Sequence, residues 1–163
     1  MKKTFAVYCL AMLFSSTALA EVIRHPLPNN STFPIASAVE VPAGSTIVFH
    51  SGSVPGPADK SAKRGEPAYY GNTKTQSINV FERIKKNLAS QNLEMGDIVK
   101  LTVFLVGDPA MDNKMDFGGF MEAYTQYFGT KEQPNLPARS AVQVAGLVAP
   151  LMFVEIEATS VRK

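Results

Sequence analysis

Two stretches of this chain repeat their apolar residues at three- and four-residue spacing, and each repeat needs a surface to lie on. Ile78, Phe81, Ile84 and Leu88 form the first stripe, with Glu82, Arg83, Lys85, Lys86 and Asn87 filling the other side. That spacing predicts an amphipathic helix of about four turns, opened by a capping box from Thr73 to Gln76 or by Asn72 as the cap. Phe117, Phe120, Met121, Tyr124 and Phe128 form the second stripe, on a helix running from near Asp112 to a stop at Gly129. Both stripes are apolar and carry aromatic residues, the second above all, and an extended apolar sheet is the surface that accommodates two of them side by side.

The segments around them supply that sheet. Residues 35–41, 46–51, 98–106, 138–147 and 151–161 are β-branched or apolar and are separated by Gly, Pro, Asn or Asp punctuation. The order is strand, strand, helix, strand, helix, strand, strand. It predicts an α+β domain, a mixed sheet with two helices packed on one face. The segment 138–147 has no strongly polar face: Ala141, Gln143 and Ala145 lie on one side, Val142, Val144 and Gly146 on the other. A sheet this apolar with helices on one face only implies a partner subunit on the second. Residues 52–72, rich in Gly, Pro, Lys and Ser, read as a long surface loop. Within 163 residues, 45% hydrophobic content is enough for one core and excludes a disordered chain.

The first twenty residues stand apart. Lys2 and Lys3 precede an apolar run from Phe5 to Phe14, and Ala18-Leu19-Ala20 gives the small-x-small pattern of a cleavage point. We read residues 1–20 as a cleaved secretory signal, 21–34 as an irregular leader and 35–163 as the folded domain. The expected location is the periplasm or the medium, with no membrane attachment after cleavage near Ala20. The only cysteine, Cys9, leaves with the signal, so no disulfide, thiol nucleophile or thiolate metal site is expected. Without Lys2 and Lys3 the basic residues equal the 14 acidic ones. A neutral chain offers no phosphate-tracking surface, which argues against nucleic acid as a partner.

Arg139 is the most informative single residue, because it opens an otherwise uncharged strand. A buried arginine needs an anionic or carbonyl partner, so it serves either as a clamp for a ligand carboxylate or as half of an internal ion pair with a sheet glutamate. Glu155 and Glu157 share one face of the last strand. One of them can orient a water or take a proton, or both can make polar contacts at a subunit seam. Ser51-Gly52 marks a chain reversal where a ligand can approach backbone closely. His25 and His50 lack metal-ligand spacing. Lys60, Lys63 and Arg64, near Tyr69 and Tyr70, form a basic cluster that reads as a solvated loop.

The run Pro137-Ala138-Arg139-Ser140-Ala141-Val142, followed by Val154-Glu155-Ile156-Glu157-Ala158, resembles the signature of the YjgF/Rid family of reactive-intermediate deaminases, once called the L-PSP endoribonucleases. Ser51-Gly52 with Val54-Pro55, Met95 to Lys100 leading into Thr102-Val103-Phe104, and Tyr124 with Tyr127-Phe128 extend the resemblance over residues 35–163. It implies a chorismate-mutase-like subunit assembled as a trimeric barrel, with ligand clefts between subunits. It also implies hydrolysis of 2-imino or enamine acids to 2-keto acids and ammonia without metal or cofactor. On that basis Arg139 holds the substrate carboxylate and Glu155 orients the attacking water. Ser51, Gly52, Ile35, Ser140 and Ala141 line the pocket. Ile35, Ala141 and Met121 depart from the tyrosine, cysteine and asparagine common in the family, and loop 56–72 is longer. The competing expectations are a non-catalytic binder of small carboxylates and a holdase-type chaperone.

Overall fold

A computed structural model describes residues 21–162; residues 1–20, on which the expectation of a secretory signal falls, lie outside the described residues, and Cys9 with them. The strands are β1 (Ile23–His25), β2 (Ala38–Glu40), β3 (Thr46–Ser53), β4 (Ile98–Val106), β5 (Ala138–Val144) and β6 (Val154–Arg162). The helices are the short α1 (Pro67–Tyr70), the long α2 (Thr73–Ser90) and α3 (Phe117–Tyr124). Four strands form a mixed sheet in the order β3-β6-β4-β5, with β4 and β5 parallel and the other pairs antiparallel. β1 and β2 make a separate antiparallel pair.

The core lies between the sheet and helices α2 and α3. Leu101, Val103 and Leu105 of β4 and Val154, Ile156 and Ala158 of β6 meet Val80, Phe81, Ile84 and Leu88 of α2 and Phe120 and Tyr124 of α3. Both apolar stripes therefore pack on one face, as their periodicity requires. The opposite face keeps apolar residues in water: Phe49 is 81% exposed, and Ile47 and Val142 are also exposed. No helix among the described residues is long and apolar enough to cross a membrane.

Several boundaries differ from the sequence reading, each for a local reason. The leader 21–34 is not wholly irregular, because Ile23–His25 pairs with Ala38–Glu40. Arg24 fixes that strand by donating hydrogen bonds to the carbonyls of Gly96 (2.9 Å), Ile98 (3.0 Å) and Leu136 (2.8 Å). The strand expected at 35–41 shrinks to β2, and Ala36 instead bridges Ala138 in parallel. Asn72, not Thr73, caps α2: its Oδ1 accepts from the Thr75 amide. Gln76 is freed for another task, buried and bonded to the Gly71 and Leu151 carbonyls and the Phe153 amide. The second helix begins at Phe117 rather than near Asp112, because Asp112 and Asn113 take left-handed backbone angles and Asp116 provides the cap. It ends at Tyr124, and Gly129, at φ 75°, lies beyond its end. Strand 138–147 stops at Val144, and β6 starts at Val154 rather than Leu151, whose φ of 64° breaks extension. Loop 52–72 contains α1, and Tyr70 packs with Ala149 and Met152 in a small second core.

Candidate functional site

Strand register sorts the expected site residues onto the two faces of the sheet. Arg139 and Ala141 stand opposite Leu101 and Val103, on the helix-covered face. Ser140 stands opposite Thr102 on the other face, where its hydroxyl accepts from Lys100 Nζ at 3.1 Å. Glu155 and Glu157 pair with Phe104 and Thr102, again on that other face. The chain thus does not gather Arg139 and Glu155 into one pocket. They occupy opposite sides of the sheet, separated by β4.

Around Arg139 the surroundings are aromatic. Its guanidinium carbon lies 4.2 Å from the Tyr124 ring centroid, 5.1 Å from Phe120, 5.4 Å from Phe33 and 5.7 Å from Phe117. Nη1 donates to Met121 Sδ at 3.2 Å, a weak acceptor. Among the described residues no carboxylate lies within ion-pairing distance of it. The internal ion pair with a sheet glutamate is therefore not made, because Glu155 and Glu157 face the other way. Burial pulls the guanidinium pKa down, against a smaller opposing pull from the Tyr124 hydroxyl. Three of the four rings belong to the predicted α3 stripe. Phe33, from the leader, carried no sequence signal for this role; it arrives because Ala36 bridges Ala138 and the Tyr124 hydroxyl donates to the Pro34 carbonyl at 2.8 Å. Ile35 packs on the same core margin.

Tyr124 carries a testable consequence. Burial pushes its phenol up to about 12, while Arg139 and Arg24 pull the other way. The folded chain thus holds the neutral form, and the unfolded chain ionises first, near the ordinary value of 10.0. The contribution is complete below pH 10 and is lost as pH rises toward 12, by about 3 kcal/mol. Urea midpoints across that range are expected to fall steeply, and less steeply in Tyr124→Phe. Burial of Tyr127 and its hydrogen bond to Glu82 raise that phenol as well, so the variant retains part of the slope.

On the other face, Gly52 lies against Glu155. A side chain on Gly52 would place its Cβ inside the Glu155 carboxylate, overlapping Oε1 and 2.8 Å from Cδ. Ser51 and Gly52 do not form the chain reversal expected from the sequence: β3 runs on to Ser53, and the two residues lie within an irregularity of the β3–β6 pairing between His50 and Ser53. Ser51 and Gly52 also border a groove of about 740 Å³ whose far wall, on α2, carries Arg83, Lys86 and Asn87. His50 accepts or donates a 2.7 Å hydrogen bond with Ser160 Oγ, and burial lowers its pKa. His25 pairs with Glu40. Among the described residues no three His, Cys, Asp or Glu side chains are grouped to hold a metal.

Comparison with known proteins identifies the family. Residues 29–162 match the family model "Endoribonuclease L-PSP". The Escherichia coli protein named "Putative reactive intermediate deaminase TdcF" is 35% identical over 118 residues, covering 72% of this chain and 80% of that protein. A RutC family protein of Pyrococcus horikoshii is 30% identical over 134 residues, covering 82% and 94% respectively. Among solved structures, E. coli TdcF with bound serine superposes with a TM-score of 0.56 at 32% identity, covering 76% of this chain and 85% of that one. The chain belongs to the L-PSP endoribonuclease family, which also carries the names YjgF, RutC and Rid.

Proposed function

We propose that this protein is a hydrolytic deaminase, converting reactive 2-imino acids and their enamine tautomers to 2-keto acids and ammonia. The state of Arg139 carries the reading. It is a guanidinium drawn largely out of water, oriented by four rings and a thioether, with no carboxylate paired to it among the described residues. Such a group gains most from a carboxylate that arrives with the substrate, through two parallel charge-assisted hydrogen bonds. The likeness to TdcF with bound serine supports a small carboxylated ligand.

The remaining chemistry needs little. An imine carbon is already electrophilic. Water adds to it as Glu155 accepts the water's proton and returns it to nitrogen, giving a carbinolamine; the hydroxyl proton then passes to the amine by the same carboxylate as the C–N bond breaks, so that ammonia leaves and a carbonyl remains. Gly52 leaves room for the Glu155 carboxylate. Because Arg139 and Glu155 occupy opposite faces, the complete cleft forms between copies, in a homotrimer that also covers the exposed Ile47, Phe49 and Val142. Export to the periplasm or medium, through residues 1–20, would place it where amino-acid oxidases or dehydrogenases release imines.

The test is decay of an imine generated in the cuvette by an amino-acid oxidase, followed as keto-acid release. The chain should accelerate it, and Glu155→Gln should lower kcat by at least about a hundredfold while still binding a small carboxylate. Undiminished hydrolysis in that variant would remove Glu155 from the reaction. Carboxylate binding without hydrolysis in the unaltered chain would leave a binding protein.

A further inference from the structure

The walls next to Arg139 are apolar on the side that solvent reaches. Phe120 and Tyr124 are fully buried and seal the back. Phe33 is 40% exposed, Phe117 is partly exposed, and their rings stack at 6.4 Å with 18° between planes. Met121 and Ala141 are also partly exposed there. None of these four side chains carries a hydroxyl, amide or charge. The polar groups nearby on this face are already engaged: Gln143 bonds the Met115 amide and the Asn113 carbonyl, Glu122 pairs with Lys74, and the Tyr124 hydroxyl bonds Pro34.

A molecule whose carboxylate sits on Arg139 therefore carries its next carbons past Phe33 and Phe117. We infer that these two rings select 2-imino acids with large apolar side chains, aromatic or branched aliphatic, over those with a methyl or hydroxymethyl group. The inference rests on the proposed carboxylate role of Arg139. An added apolar group buries surface against the rings, whereas a hydroxyl leaves water and meets no partner. A pocket of this kind discriminates by about tenfold or more per group added.

D-amino-acid oxidase makes the required imines from D-phenylalanine, D-leucine and D-alanine, because the imino carbon keeps no configuration. In the unaltered chain kcat/KM for the phenylalanine- and leucine-derived imines should exceed that for the alanine-derived one by about tenfold or more. Phe33→Ala should reduce this ratio to near one, and Phe33→Leu should keep most of it for the leucine-derived imine. A loosened fold would lower all three rates and leave the ratio standing. A ratio near one in the unaltered chain, or an unchanged ratio in Phe33→Ala, overturns the selection while leaving the deaminase reading intact. If no imine is hydrolysed, calorimetry with phenylpyruvate and pyruvate decides. Tighter binding of phenylpyruvate by about tenfold, lost in Phe33→Ala, sustains the selection without the reaction. Equal binding, or none, overturns it.

Discussion

Arg139→Met is expected to inactivate the protein and at the same time leave it as stable as before, or more so. The guanidinium loses much of its hydration in the aromatic collar, and burial shifts its pKa down. Against that cost stand cation–π contacts worth about 2 kcal/mol and one weak bond to the Met121 sulfur. Removing a charge from a desolvated site costs several kcal/mol less than keeping it there unpaired, and a methionine fills the same space among Phe33, Phe117 and Tyr124. Urea denaturation should show a change between zero and about 2 kcal/mol in favour of the variant. Hydrolysis should fall by about a thousandfold in kcat/KM, the cost of leaving a bound carboxylate without its partner. Arg139→Lys should recover little, since an ammonium cannot present two parallel donors. A loss of stability above about 1 kcal/mol would show that the collar depends on the cation, and would weaken the view that the site is held ready for a ligand.

Gly52→Ala is expected to lower kcat by about a hundredfold with little effect on substrate binding. No strained backbone is needed for this effect, because Gly52 lies outside the left-handed region. The reason is space. The new methyl would occupy the volume of the Glu155 carboxylate, which must rotate away from β3. A carboxylate displaced by an ångström no longer reaches the water it orients. Glu155 is partly exposed on its sheet face, so rotation costs the fold little, and the thermal midpoint should stay within a few degrees. A variant as active as the unaltered chain would mean that Glu155 is free to act from more than one position.

The parts of this molecule legible in its sequence are those governed by repetition. The α2 stripe from Phe81 through Ile84 to Leu88, the β4 run and the α+β order all follow from periodicity, although Val80 rather than Ile78 joins the core. The structure bears them out, along with the two helices on one face. What periodicity does not carry is contact between distant segments. β1 is three residues long, and only the reach of Arg24 to the Gly96, Ile98 and Leu136 carbonyls explains its place. The start of α3 is not legible in the stripe, because apolar spacing does not reveal the left-handed Asp112 and Asn113 before it. Arg139 stood out as an isolated charge, but its collar did not. Phe33 lies in the leader and meets it only through the Ala36–Ala138 bridge. The face on which each residue falls was readable for Glu155 and Glu157 by alternation. That Arg139 and Ser140 part company across the sheet follows from the same alternation once the β4–β5 register is known.

The separation of Arg139 from Glu155 by the thickness of one sheet has an arithmetic consequence. If a site takes its arginine from one copy and its glutamate from the next, each chain contributes half of two sites rather than all of one. A chain lacking either residue then damages a single seam and leaves the other whole. In an assembly drawn at random from equal amounts of two differently disabled chains, one seam in four regains both residues. Two differently disabled chains would therefore complement each other in part, and the smallest working unit of this protein would be a contact rather than a chain.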